Sequence, residues 1–329
     1  MAVKMCKLYK AGDGKMKFGI VGLSLTHPYA FADILIKNGH KISYIWDQNR
    51  NKSKEYAVKY NAAVVESYEE ISFKDVDGVF IECQSYLHCS IAKVFIKKKI
   101  PVFIDKVMSL DVNELKETLK LAKENNSLLM SCSAIRYMPE YIKLKENIKS
   151  GKLGRVVAVS ADVRHDMEGY LVSPNTWQDN PKTSGGEIVN FGVHGVEPVC
   201  CMLGPGVKWV QCFKNKAVYD CAQSEDMAFI NIRFNNGTTG IVSLISCITD
   251  YGFSMKAYGT KAIMEAGDIS SSNNTDIDDQ YGYERMLLEF IRGIENNKLP
   301  IPYDEIEEIV KVLIAARISA DENRIVYIE

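Results

Sequence analysis

Asn190, His194 and Glu197 follow a Gly185-Gly186 pair, at spacings of four and three residues. On a continuous helix these side chains share one face. A histidine there can carry a proton near neutral pH. The same pattern also suits a buried histidine with capping neighbours. A second charged pair, Asp105-Lys106, closes the apolar run Ile100–Ile104. Lys106 either donates to a substrate oxygen or stands as a solvated rim lysine. Arg164 and His165 end a long apolar stretch, and Trp177 follows before the glycine pair. Donors mixed with an aromatic ring suit a polyhydroxylated ligand, or simply close a loop.

These residues need elements to hold them. Residues 16–22 form a short apolar run ending at Gly22, which reads as a buried parallel strand entering a turn. Pro28 suits the first turn of a helix, with Thr26 or His27 as its cap. The helix stops at Asn38-Gly39. Strands are expected at 41–46, 76–82, 100–104 and 127–131, with helices at 51–60, 87–98 and 111–125. This alternation specifies a doubly wound parallel sheet. From about residue 136 the rhythm changes. A helix at 139–150 precedes strands at 155–164, 208–215, 227–234, 238–246 and 253–258. The turn Asn235-Asn236-Gly237 joins two of them as a hairpin. Helices at 281–296 and 303–319 follow, and 270–279 reads as a polar loop. The expected fold is an α/β Rossmann domain plus an α+β domain with a mostly antiparallel open-faced sheet. The expected divisions are an N-terminal extension at 1–15, a dinucleotide-binding domain at 16–135 and a substrate-binding and oligomerisation domain at 136–329.

The turn Gly22-Leu23-Ser24-Leu25-Thr26-His27 departs from Gly-x-Gly-x-x-Gly, with Ser24 and His27 at the second and third glycine places. A helix N-terminus nonetheless offers N–H groups to a phosphate. Asp47 stands where a carboxylate meets the adenosine ribose and opposes a 2'-phosphate. Arg50 nearby could instead pair with that phosphate. Gln84 and His88 follow another strand end, where His88 lines the nicotinamide side or caps the next helix. The expected cofactor is therefore NAD, with NADP possible.

The chain has 329 residues, 47% apolar and 25% charged, with a formal net charge of -2. That balance suits a soluble globular protein with a large core and argues against nucleic acid as the main partner. No apolar run is long enough for a membrane span. Nine cysteines without a Cys-x-x-Cys suggest free thiols in a reducing compartment, hence a cytoplasmic location. The five histidines lack metal-ligand spacing, so no metal site is expected.

In this order the motifs resemble the Gfo/Idh/MocA family of oxidoreductases, which includes glucose-fructose oxidoreductase and inositol dehydrogenases. The resemblance runs over about residues 16–328. Its phosphate turn corresponds to Gly22–His27, and its Thr-Pro-x-x-x-His loop to Gln84–His88. Its Glu-Lys-Pro corresponds to Asp105-Lys106-Val107. Its glycine-pair helix corresponds to Gly185, Gly186, Asn190, Gly192, His194 and Glu197. Glu225-Asp226, the turn Tyr258–Lys261 and a last strand at Ile325–Ile328 also look like the family. The resemblance implies hydride transfer between nicotinamide and a hydroxyl carbon of a sugar-like or polyol substrate. Lys106 would hold the substrate oxygen, His194 would move the hydroxyl proton, and Asn190 would orient the substrate. Apart from the resemblance, a homodimer or homotetramer is expected, because an open antiparallel sheet face commonly needs a partner. Asn190 stands where the family has an aspartate, and Val107 where it has proline. Those departures keep two alternatives in view: a non-catalytic nucleotide or sugar binder, and an NAD-assisted lyase or glycosidase.

Overall fold

The computed structural model describes residues 14–25, 27–173, 176–270 and 281–328. Most of the expected N-terminal extension, Thr26 and 271–279 of the polar run lie outside them. The chain forms two compact units, Met1–Cys132 with Glu284–Tyr303, and Ser133–Tyr283 with Asp304–Glu329.

The first unit holds a six-stranded parallel sheet in the order β3-β2-β1-β4-β5-β6. The strands are β1 Lys17–Val21, β2 Lys41–Trp46, β3 Ala63–Val64, β4 Gly78–Ile81, β5 Val102–Ile104 and β6 Leu129–Ser131. The helices between them are α1 His27–Lys37, α2 Arg50–Tyr60, α3 His88–Lys97 and α4 Val112–Asn125. Every residue of β4 and β5 is buried, as a sheet covered on both faces requires. Caps set the helix ends. Asp111 accepts from Glu114 N at 2.8 Å to start α4, and Asn126 ends it in the left-handed region.

An aromatic cluster fills the core. Phe80 meets Phe18 and Phe103 at 5.3 Å between ring centroids. Phe290, from the helix Tyr283–Asn296, adds edge contacts to Phe80 at 5.4 Å and Phe103 at 5.7 Å. The segment Glu284–Tyr303 therefore belongs to the first unit, although the sequence reading groups 136–329 together.

The second unit is built on seven strands in the order β12-β11-β7-β10-β9-β8-β13. They are β7 Val156–Asp166, β8 Val207–Asn215, β9 Met227–Phe234, β10 Thr239–Ile245, β11 Cys247–Gly259, β12 Ile263–Ser270 and β13 Val326–Tyr327. Among the described residues of this sheet, only β7 and β10 pair in parallel. The hairpin at Asn235-Asn236-Gly237 forms as its turn chemistry demands, with Gly237 N donating to Phe234 O at 3.0 Å. β12 has no counterpart in the sequence reading, which places only the turn Tyr258–Lys261 between the strand at 253–258 and the polar loop from Ser270.

One face of this sheet carries the helix Val193–Leu203. Two glycines permit the close approach. A Cβ on Gly195 would lie 2.4 Å from Val242, and one on Gly240 would lie 2.4 Å from Val199. The other face exposes Phe213, Phe229 and Ile241.

Candidate functional site

In the first unit, candidate residues gather at the carboxyl ends of the strands. In doubly wound sheets, ligands bind there, where the strand order reverses. That reversal lies between β1 and β4, the pair that brings Gly22 to Cys83. Gly22 has φ 102°, and a Cβ on it would lie 2.5 Å from Cys83 N. No side chain fits, so the backbone is bare at the turn. Ser24 N donates to Glu82 O at 3.1 Å, which ties the turn to β4 and takes that N–H away from a phosphate. Leu25 is half-buried beside it. Asp47, at the end of β2, accepts from Leu23 N at 2.6 Å and from Asn49 N at 2.7 Å. Each oxygen retains a lone pair for a ribose hydroxyl. Arg50 is otherwise engaged. It donates to Val65 O at 2.6 Å and pairs with Glu66. The bare turn, the carboxylate beside it and the start of α1 fit a dinucleotide.

His27 fills the third glycine place, and its Nδ1 lies 2.8 Å from Asp105 Oδ2. Burial alone would raise the Asp105 carboxyl. His27 and Lys106 outweigh it and hold Asp105 below its ordinary value. Glu82, one residue past β4, is fully buried, and neither carboxyl oxygen has a hydrogen-bond partner among the described residues. Burial and the neighbouring Asp105 push its carboxyl well above the usual range, against the opposing pull of Lys106. Sequence reasoning passed over Glu82. Its one signal is a carboxylate closing the apolar run Gly78–Ile81.

His88 is a clasp within the fold. Its Nδ1 lies 2.8 Å from Val107 O and its Nε2 2.9 Å from Cys83 O, with the ring fully buried. Burial draws the imidazole towards neutrality, and a neutral ring donates to only one of two carbonyls. Both ring nitrogens thus hold the Lys106-Val107 turn against the chain just past β4. Lys106 itself is buried, its peptide bond to Val107 is cis, and Gln84 is half-buried.

In the second unit, Asn190 and His194 do not share one continuous helix. Asn190 ends the short helix Gly186–Asn190, and a second helix starts at Val193. The break falls at Gly192, where a Cβ would lie 2.2 Å from Ile188 O. The Gly185-Gly186 pair has a local cause: a Cβ on Gly186 would lie 2.8 Å from Glu225 Oε1, which accepts from Ile188 N at 2.8 Å. Asn190 is buried.

His194 sits between Phe191 and Phe253, with ring centroids 5.3 and 5.6 Å away. Its Nδ1 lies 2.7 Å from Ser133 Oγ. Ser133 N donates to Glu197 Oε2 at 2.7 Å. Arg136 binds Glu197 at 2.8 Å with one nitrogen and Glu305 at 2.8 Å with another. Burial raises the Glu197 carboxyl, and Arg136 pulls against it. The result is a fixed imidazole in apolar walls, held from behind by a satisfied polar network. Ser133 lies 64 residues and Arg136 61 residues from Glu197 in sequence, and Arg136 lies 169 from Glu305, so no local spacing marks them.

Arg164 spends its guanidinium on Asp162 and on Asp250 at 3.1 Å. His165 donates from Nδ1 to Asp166 O at 2.7 Å, and its ring lies 4.8 Å from Tyr251. Trp177 is half-buried, and its indole N–H has no partner among the described residues.

Two family descriptions match this chain. "Oxidoreductase family, NAD-binding Rossmann fold" covers residues 16–132, and "GFO/IDH/MocA C-terminal domain" covers residues 141–265. The chain belongs to the Gfo/Idh/MocA oxidoreductase family. It is 20% identical over 337 residues to myo-inositol 2-dehydrogenase of Thermotoga maritima, covering 95% of this chain and 99% of that one. It is 24% identical over 228 residues to an uncharacterized oxidoreductase, YrbE of Bacillus subtilis. That match covers 67% of this chain but less than two thirds of YrbE, 64%. Among solved structures, GenD2 from gentamicin A biosynthesis, in complex with NAD, superposes with a TM-score of 0.87. That comparison covers 96% of this chain and 97% of GenD2 at 18% identity, and so speaks for the fold.

Proposed function

We propose that this family member is an NAD(P)-dependent dehydrogenase acting on a hydroxyl carbon of a sugar-like or polyol substrate. The observation that carries the reading is His194. An imidazole held at Nδ1 by Ser133 and walled by Phe191 and Phe253 is oriented and shielded, as a general acid–base needs. A bound nicotinamide dinucleotide supplies the acceptor or donor of hydride. The protein's own part is then binding, orientation and proton handling. His194 takes the hydroxyl proton on oxidation and returns it on reduction. Lys106 holds the substrate oxygen by donating to it, and Asn190 orients a hydroxyl with its amide. Asn190 cannot ionise, so proton movement rests on His194 alone of these two. The Trp177 indole N–H supplies one more donor for a substrate oxygen. Asp47 and the bare turn at Gly22 hold the dinucleotide.

A panel of sugars and polyols with NAD or NADP, followed by the absorbance of reduced nicotinamide, tests the activity. Turnover with at least one substrate, lost in His194→Ala, is expected. Dinucleotide binding without turnover across the panel would favour a non-catalytic binder. We also propose a homo-oligomer. The row Phe213, Phe229 and Ile241 on the uncovered sheet face invites a second copy. Sedimentation of the wild type should show a dimer or tetramer, and a monomer at micromolar concentration would reject it.

A further inference from the structure

We propose that His27, Glu82 and Asp105 form a divalent-cation site in the first unit. The ligand atoms of these three side chains lie within 4.8 Å of one another. They are set by rigid elements: Glu82 follows β4, Asp105 follows the hydrogen-bonded neighbour β5, and His27 opens α1.

The independent pointer is Glu82. Its carboxyl is fully buried, and both oxygens lack a hydrogen-bond partner among the described residues. A buried carboxylate without a donor is costly, and folded chains do not keep one without compensation. His27 cannot supply the compensation alone, because its Nδ1 is already bonded to Asp105. Lys106 lies near enough to act on both carboxyls but bonds to neither Glu82 oxygen, so the pair still calls for a further positive charge between them or for a proton.

The donor set selects the ion. One imidazole nitrogen and two carboxylate oxygens suit manganese, iron, cobalt or zinc, rather than the soft cations that demand thiolate. Bonds of about 2.0–2.2 Å place donors about 3–4 Å apart, so the side chains need close by about 1–2 Å at most. The metal would replace the His27–Asp105 hydrogen bond with two bonds to itself and give Glu82 its missing partner. Three protein ligands leave coordination positions for water or an anion. His27, partly exposed, provides the way in.

Cobalt(II) alone, added to the chelator-treated full chain, is the test. One equivalent should give the d–d absorption of a nitrogen–oxygen site, without a thiolate charge-transfer band. Glu82→Gln, which keeps the shape and removes the charge, and His27→Gln should each weaken binding at least about tenfold. Thermal denaturation of each variant confirms that it folds. No binding by the wild type, a thiolate band, or unchanged affinity in folded Glu82→Gln would overturn the site. The last two results would assign the cobalt to cysteines or to surface carboxylates, and the first would leave a proton as the partner of Glu82.

Discussion

Glu82 in the first unit and Glu197 in the second are the same residue, both buried, yet they have opposite surroundings. Glu197 meets a backbone N–H from Ser133 and the guanidinium of Arg136, which Glu305 holds in turn. Glu82 meets no donor among the described residues. A buried carboxylate served by fixed donors is scaffold, and here the scaffold stands behind His194. A buried carboxylate without donors is unfinished until something mobile arrives.

The largest expected effect comes from breaking the finished half. Arg136→Met should cost about 3–5 kcal/mol by leaving the Glu197 charge buried and unpaired. Urea denaturation at pH 7 measures it, and a loss below about 1 kcal/mol would mean that Glu197 is already neutral. Next, His194→Ala should lower turnover about a hundredfold, roughly 2.7 kcal/mol, with little change in dinucleotide affinity. Near-normal turnover would remove His194 from proton transfer.

The unfinished half should respond in the other direction. In metal-free protein, Glu82→Gln should raise stability above pH 7 by about 1–3 kcal/mol, because the amide, unlike the carboxyl, never carries a buried charge. The sign follows from linkage. The folded carboxyl sits above its unfolded value, so between those two values the folded chain keeps a proton that the unfolded chain has lost. Stability therefore falls as pH rises through that window. The gain from Glu82→Gln should shrink towards zero as pH drops to the ordinary glutamate range. A gain that grows in acid would contradict the reading.

The smallest effect concerns a carboxylate between these extremes. Asp47 is served by two N–H groups but keeps lone pairs for a ligand, and Arg50 is tied to Val65 and Glu66. NAD should bind tighter than NADP by about tenfold, about 1.4 kcal/mol. Calorimetry with each cofactor decides it. Tighter NADP binding would mean that Arg50 leaves Glu66 for the 2'-phosphate.

The parallel sheet was legible because buried runs such as Gly78–Ile81 cannot face water. β3, two residues long, has too little pattern to see. β12 escaped because Glu265, Gly267 and Asp268 interrupt its apolar run, and its strand identity rests on pairing with β11. At the site, motif order pointed to His194 and Lys106. Periodicity wrongly joined Asn190 and His194 in one helix, because it does not register the collision that Gly192 avoids. Ser133, Arg136 and Glu82 act through partners brought near only by the fold, and a single residue type carries no such information.

The excursion of Glu284–Tyr303 back into the first unit has a consequence for synthesis on the ribosome. The core around Phe80 and Phe103 is short of Phe290 when Cys132 emerges. At ordinary elongation rates, the roughly 170 residues up to Tyr303 take about 10–30 s, and during that time an incomplete aromatic face is open to chaperones and to other nascent chains. A fragment ending at Cys132 would keep that face permanently, so the nucleotide-binding half of this protein cannot be harvested with a single cut.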